Sequence, residues 1–206
     1  QGESLDRPLK RGEHYSQAQV IQWATELLEA LCYLHSPIHG NPPRGFVHSD
    51  IKPANLMRTP DNHICLIDFN IALALGEQNV IGRSAGYASP EHYGLDFSEN
   101  GEDDITETME GASVEDDRTV TMTMRSSIVS KRVIVPDVRS DIYSTGATLY
   151  HLLSGIRPAR DAREVVPLSA EEFSPQIVHI ITKSMEPNPD HRYQTAEEML
   201  YDFRHL

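Results

Sequence analysis

The chain has 206 residues and a formal net charge of −13, with 39% hydrophobic and 24% charged residues. This length suits one domain or one large lobe with a buried core, and the composition is typical of globular proteins. Residues 96–117 hold ten acidic side chains and no Lys or Arg, and such a balance argues against a nucleic-acid-binding surface, which needs a basic face.

The sequence contains neither a signal-peptide pattern nor an apolar run of 18 residues, so we expect a cytoplasmic location and no membrane contact from this segment. Cys32 and Cys65 lie within apolar segments, and we expect both to be reduced and buried in the core. Because the chain starts at Gln1 and stops at Leu206 directly after a helical pattern, we expect it to be one piece of a longer protein.

The first strong helix signal covers residues 16–34, where Ser16 suits the N-cap. Apolar side chains recur there at intervals of three and four residues, which predicts one buried face. These are Val20, Trp23, Ala24, Leu27, Leu28, Leu31 and Leu34.

A connection follows this helix at residues 38–45, where two prolines and two glycines predict a surface loop. His35 and His39 are four residues apart, a spacing that places two imidazoles on one helix face for a metal. Pro37 lies between them and disfavours a helix, and no third ligand is near, so we do not predict a zinc site.

Residues 46–70 concentrate the polar groups that phosphoryl transfer requires. The Asp50 carboxylate suits the proton of an attacking hydroxyl, and Lys52 suits the charge of a phosphoryl group. The Asn55 amide oxygen and the Asp68 carboxylate are the kind of ligands that Mg²⁺ takes. We therefore predict a phosphoryl-transfer site in this stretch.

The segment His48-Ser49-Asp50-Ile51-Lys52-Pro53-Ala54-Asn55 resembles the H-R-D-x-K-x-x-N catalytic loop of protein kinases, and Asp68-Phe69-Asn70 resembles their D-F-G metal motif. Ser49 stands where most members have Arg, which usually pairs with a phosphate on the activation loop. Its absence indicates that loop phosphorylation is not the main switch. Asn70 stands where they have Gly, and Asn tolerates a positive φ, so the turn is expected to persist.

The resemblance assigns further positions in the same order along the chain. Residues 84–91 are similar to the end of an activation segment, which implies that Ser84 bridges Asp50 and Lys52 and favours Ser/Thr specificity. His48 is expected to pack under the metal motif, and Met57 to form the floor under an adenine ring.

Two buried contacts are implied by the motifs further along the chain. Glu91 is expected to form an ion pair with Arg192, which lies in the motif Asn188-Pro189-Asp190-His191-Arg192-Tyr193. Asp141, in a helix from Arg139 to about Leu153, is expected to accept hydrogen bonds from the catalytic-loop backbone. Apolar periodicity predicts another helix around residues 177–185 and a last one over 195–206, capped by Thr195.

Residues 95–135 depart most from the family. The acidic half has few apolar residues, which predicts disorder. The following residues, 118–132, are basic and rich in Ser and Thr. A tolerated loop and an autophosphorylation or docking segment both remain open.

The resemblance as a whole implies a mostly α (α+β) fold, namely a kinase-like C-terminal lobe spanning residues 1–206. A small β-hairpin element is expected to carry the catalytic and metal loops. The G-x-G-x-x-G loop and the strand lysine of the small lobe are absent from this sequence. The partners implied are ATP, Mg²⁺, protein substrates and the protein's own small lobe, without which this chain is expected to be inactive.

We predict a protein serine/threonine kinase of bacterial type from these motifs. Two alternatives stay open at this point. A pseudokinase that scaffolds partners is favoured by Ser49 and Asn70 but opposed by the intact Asp50, Asn55 and Asp68. A small-molecule phosphotransferase is the second, although such folds generally lack the Ser-Pro-Glu segment that ends at Glu91.

Overall fold

The computed structural model describes residues 2–69, 73–74, 84–93, 97, 136–159 and 167–206. Asn70 and, apart from Phe97, the predicted insertion at 95–135 lie outside the described residues. The described part is mainly helical, as predicted, with a small antiparallel sheet. Its helices are α1 (Asp6–Lys10), α2 (Gln17–His35), α3 (Val138–Ser154), α4 (Pro175–Ser184) and α5 (Ala196–Arg204).

Helix α2 confirms the first helix prediction to within one residue at each end. Ser16 is the N-cap, and its hydroxyl oxygen accepts a hydrogen bond from the Gln19 N–H at 3.3 Å. Trp23 is fully buried, as predicted, and its indole N–H donates to the Asn62 carbonyl at 2.9 Å. This bond satisfies the one polar atom of a side chain that otherwise packs in the core.

The last two helices also begin at side-chain caps, of which the sequence predicts only Thr195. Ser174 caps α4 by accepting from the Ile177 N–H at 3.4 Å. Thr195 caps α5 by accepting from the Glu198 N–H at 3.2 Å. Each cap satisfies one of the N–H groups that have no partner within their own helix.

Helix α3 is the centre of the core. Every residue from 140 to 150 is buried, and the helix packs against both α2 and α4. A helix that is enclosed on all sides needs no polar face, and α3 accordingly carries no Lys, Glu or Arg after Arg139. None of the helices in the described part of the chain is long and apolar enough to cross a bilayer.

Gly146 allows α3 and the end of α4 to approach each other closely. A Cβ at this position would overlap the Ser184 hydroxyl and stand 2.9 Å from Met185 Cγ. We expect Gly146→Ala to lower the free energy of unfolding by about 1–3 kcal/mol, because a packed core resists added volume. Urea denaturation checks this, and adding Ser184→Ala should restore part of the loss. Unchanged stability in Gly146→Ala would contradict the close packing.

The strands form two small antiparallel ladders. Strand β3 (Leu56–Arg58) pairs with β4 (Ile64–Leu66) as the predicted hairpin, and β1 (Glu3–Ser4) adds a third strand beside β3. Strand β2 (Phe46–Val47) pairs with β5 (Leu73–Ala74). The segment that resembles a catalytic loop therefore connects β2 to β3, and Asp68 follows β4. Because β3 pairs with β4, the end of this loop and Asp68 lie close together.

The prediction that both cysteines lie in the core is wrong for Cys65. Cys65 is exposed, because alternate residues of a strand face opposite sides and its neighbours Ile64 and Leu66 face the protein. Cys32 is half-buried on α2, and burial raises the pKa of its thiol to about 11.

Candidate active site

The backbone of the catalytic loop is held in an uncommon conformation. Ser49 has a φ of 67°, which costs energy for a residue with a Cβ. Its N–H donates to Asp141 Oδ1 at 2.8 Å, and the N–H of His48 donates to Asp141 Oδ2 at 2.7 Å. One carboxylate thus accepts two charge-assisted hydrogen bonds that fix the turn preceding Asp50.

Asp141 is fully buried on α3 and has a third partner in His35. The ring Nε2 of His35 lies 2.9 Å from Asp141 Oδ2. Burial alone would raise the pKa of Asp141, but the contact with His35 and the two backbone N–H groups outweigh it and lower the pKa. Asp141 is therefore an anion that connects the end of α2 to the catalytic loop.

The sequence presents His35 only as a candidate metal ligand, four residues before His39. Helix α2 ends at His35, so His39 does not share a helix face with it. Within the residues that the structure describes, no three His, Cys, Asp or Glu side chains form a cluster suited to a metal. No sequence motif or periodicity predicts the contact of His35 with Asp141, which is 106 residues away.

We expect Asp141→Asn to lower the free energy of unfolding by about 2–3 kcal/mol. Either orientation of the amide places its NH₂ group against a buried N–H donor, and an unsatisfied buried group costs about 1–3 kcal/mol. Urea denaturation measures the loss, and Asp61→Asn, the same change at an exposed position, is the matched control. Equal stability of the two variants would contradict this account of Asp141.

Asp50, Lys52 and Ser84 form a closed set of hydrogen bonds. Lys52 Nζ lies 2.6 Å from Asp50 Oδ2 and 2.8 Å from Ser84 Oγ. Ser84 Oγ lies 2.5 Å from Asp50 Oδ1. Ser84 thus sits between the two side chains, although it is more than 30 residues away from both.

Asn55 and Asp68 present oxygen atoms beside this set. The Asn55 amide nitrogen donates to the Asp50 carbonyl at 2.8 Å and to Asp50 Oδ2 at 3.0 Å, which leaves the amide oxygen for another partner. Asp68 is exposed, with a φ of 67°, and the preceding Ile67 N–H donates to the Asn55 carbonyl at 2.9 Å. An amide oxygen and a carboxylate on adjoining backbone fit the ligand preference of Mg²⁺.

His48 lies beneath the segment that carries Asp68. Its ring Nε2 is 3.2 Å from the Ile67 carbonyl oxygen, and its ring centroid is 5.0 Å from that of Phe69. Because His48 is fully buried, these contacts fix the backbone on both sides of Asp68. Met57 is half-buried on β3, opposite Cys65 of β4.

Glu91 and Arg192 lie apart from the Asp50 group and form a buried ion pair. Arg192 Nη1 is 2.7 Å from Glu91 Oε1, and Nη2 is 2.9 Å from Oε2. Arg192 also donates to the carbonyl oxygens of Glu186, Pro187 and Arg139. The pair connects residues that are 101 positions apart and holds the 84–91 segment against the start of α3.

Comparison with known proteins identifies the family of the chain. Residues 1–103, half of the sequence, match the protein kinase domain family. The chain belongs to the protein kinase family. Its Asp50, Asn55 and Asp68 all lie within the matched half, together with the whole 84–91 segment.

The relatives of this kinase chain include several bacterial proteins named as serine/threonine-protein kinases. A probable kinase from Streptomyces coelicolor is 29% identical over 98% of this chain and 26% of its own length. The kinase PknB from Mycobacterium tuberculosis is 30% identical over 87% and 25%, and a probable kinase from Clostridium acetobutylicum is 28% identical over 97% and 26%. The chain thus spans about a quarter of the length of these relatives.

Proposed function

We propose that this chain is the large, C-terminal lobe of a serine/threonine protein kinase. The full-length protein would transfer the γ-phosphoryl group of ATP to Ser and Thr hydroxyls of proteins. The observation that carries the proposal is the contact of Ser84 with both Asp50 and Lys52. In that contact the Ser84 hydroxyl, at the start of the 84–91 segment, meets both a carboxylate and an ammonium group. A substrate hydroxyl would meet the nucleotide at this point.

The site residues have distinct roles in this proposal. Asp50 orients the substrate hydroxyl and accepts its proton, and Lys52 stabilises the negative charge of the transferring phosphoryl group. Asn55 and Asp68 hold Mg²⁺, which neutralises charge on the phosphates when ATP is bound. Met57 lies under the adenine ring.

The exposed apolar surface around the metal motif supports the lobe assignment. Phe69 is 51% exposed and Ile67 is 38% exposed, and the exposed Cys65 lies two residues before Ile67. Large apolar side chains in such proximity usually mark a surface that another element covers. We infer that the protein's own small lobe covers it and completes the nucleotide pocket.

Incubation with γ-labelled ATP and Mg²⁺ tests both parts of the proposal. We expect the full-length protein to label itself or a generic basic protein, and we expect chelation of Mg²⁺ by EDTA to abolish the labelling. Residues 1–206 alone should transfer little or no label, because half of the nucleotide pocket is missing. Robust transfer by residues 1–206 alone would contradict the lobe assignment.

A pseudokinase that scaffolds partners is the second candidate, and Ser49 is the observation that favours it. Most kinases carry Arg at this position of the catalytic loop. However, the Ser49 N–H still donates to Asp141, so the backbone turn that precedes Asp50 forms without the Arg side chain, which supports the enzyme over the scaffold. Binding of ATP without any transfer would favour the scaffold over the enzyme.

A further inference from the structure

The segment that contains Ser84 packs against the chain that leaves α3. Helix α3 ends at Ser154, and its C-cap Gly155 has a φ of 69°, after which Arg157 and Pro158 meet residues 85–87. Gly86 has a φ of 84°, and a Cβ there would stand 2.6 Å from the Pro158 carbonyl oxygen and 3.2 Å from Arg157 Nε. Only glycine therefore permits this approach, which brings the Arg157 side chain beside Ala85, the residue after Ser84.

Two contacts hold the Arg157 guanidinium in place. Its Nε donates to the Ala85 carbonyl oxygen at 3.0 Å, and its Nη2 donates to the same oxygen. Its Cζ lies 5.1 Å from the centroid of the Tyr87 ring. A guanidinium has five N–H donors, so these contacts orient the group while leaving donors open to another partner.

The ring under Arg157 is itself fixed and uncharged. Tyr87 Oη lies 2.6 Å from His151 Nδ1. Burial raises the pKa of Tyr87 to about 12, whereas burial and then the Arg157 charge lower the pKa of His151. Both rings are neutral at pH 7, so neither offers a negative charge to Arg157.

Arg157 is exposed, and no carboxylate in the part of the chain that the structure describes lies within ion-pair distance of it. The negative charge of Asp6 raises the pKa values of both Tyr87 and His151 slightly, but Asp6 itself forms an ion pair with Lys10 at 2.7 Å. Other arginines of the described chain do have carboxylate partners. They are Arg11 with Glu3 and Glu13, Arg58 with Glu3, Arg139 with Asp137 and Asp190, Arg192 with Glu91, and Arg204 with Glu29.

The distance from Arg157 to Asp50 sets which part of a substrate it can reach. Arg157 contacts Ala85, the residue after Ser84, and Ser84 Oγ lies 2.5 Å from Asp50 Oδ1. Adding the distances along this path, with about 3.8 Å between consecutive Cα atoms, places the guanidinium Nε within roughly 14 Å of the Asp50 carboxylate. An extended peptide covers about 3.3–3.6 Å per residue, so a side chain within about four residues of the acceptor reaches Arg157.

We propose that Arg157 is a specificity-determining residue that binds an acidic side chain of the protein substrate within about four positions of the acceptor Ser or Thr. The proposal rests on the kinase function proposed above and narrows its substrate class. An oriented guanidinium with open donors matches the two oxygens of a carboxylate, and a neighbouring aromatic ring limits the rotamer freedom that binding would otherwise cost. A substrate with Lys or Arg at the same position meets a like charge and is disfavoured.

Steady-state phosphorylation of matched peptides by the full-length protein tests this proposal. Each peptide carries one Thr acceptor and either Asp, Asn or Lys at a single position within four residues of it. At the position that reaches Arg157, we expect kcat/KM to be about 3–10-fold higher for Asp than for Asn, and lowest for Lys. Arg157→Gln should reduce the Asp-to-Asn ratio to about 1, and Arg157→Glu should reverse the order so that Lys is preferred.

Arg204→Gln is the matched control, because Arg204 is exposed on α5 and pairs with Glu29 away from the site. It should keep the wild-type ratio. The reversal by Arg157→Glu separates recognition from mere support of residues 84–87, since a structural role would lower all three rates together. Equal rates for all peptides in the wild type would overturn the inference and leave the kinase function standing. Transfer to no peptide and no protein would overturn both.

Discussion

We expect Asp50→Asn to lower phosphoryl transfer by the full-length protein by about 100- to 10,000-fold, the usual contribution of a general base. Asn has the shape of Asp, and its amide keeps hydrogen bonds available to Lys52 and Ser84. It cannot accept the proton of the substrate hydroxyl, however, so the chemical step loses its base while the site keeps its form. Initial rates with labelled ATP and a protein acceptor measure the loss.

Nucleotide binding should survive this substitution, because in the proposed mechanism Asp50 acts on the acceptor hydroxyl and not on the adenine ring. Asp61→Asn, at an exposed turn between β3 and β4, is the matched control and should keep the wild-type rate. A rate in Asp50→Asn within threefold of wild type would remove Asp50 from the mechanism.

Arg192→Met lowers the free energy of unfolding by about 3–5 kcal/mol, because it leaves the Glu91 carboxylate buried without its partner. Three backbone carbonyl oxygens lose their donor in the same change. Urea denaturation of the full-length protein measures the loss. Arg204→Met, which breaks an exposed pair with Glu29, is the control and should cost less than about 1 kcal/mol.

A double variant that removes both charges distinguishes the cost of an unpaired buried carboxylate from the cost of lost packing. The double variant Glu91→Leu with Arg192→Met should be more stable than Arg192→Met alone, since no uncompensated charge remains. A double variant that is less stable than the single one would show that the loss arises from packing rather than from the orphaned carboxylate.

Acid should weaken the same pair. Burial would raise the pKa of Glu91, but the hydrogen bonds and charge of Arg192 outweigh it and bring the pKa below its ordinary value of 4.5. A carboxyl whose folded-state pKa is lowered contributes stability above its unfolded pKa and loses it as the pH falls through the folded pKa. We expect the stability of wild type to fall relative to that of the double variant as the pH drops below about 4.5.

Local patterns predicted the parts of the fold that depend on near neighbours. The stripe on α2, the caps Ser16 and Thr195, and the hairpin of β3 and β4 follow from spacing and residue type alone. The order of Asp50, Lys52, Asn55 and Asp68 was equally readable, because these residues lie within 19 positions and their chemistry is matched to one reaction.

Contacts between distant parts of the chain left no such trace. His35 meets Asp141 across 106 residues, and Arg157 meets Ala85 across 72, and neither pair shares a periodic pattern or a motif. Cys65 was misplaced for a related reason. The apolar run Ile64 to Ile67 does not alternate, so the sequence could not indicate which face of β4 is covered.

The most direct test of the central proposal is phosphoamino-acid analysis of protein labelled by the full-length enzyme with γ-labelled ATP and Mg²⁺. We predict label on serine and threonine and none on tyrosine, with loss of that label in Asp50→Asn. Nucleotide binding without transfer to any hydroxyl would contradict the kinase assignment and make the chain part of a scaffold.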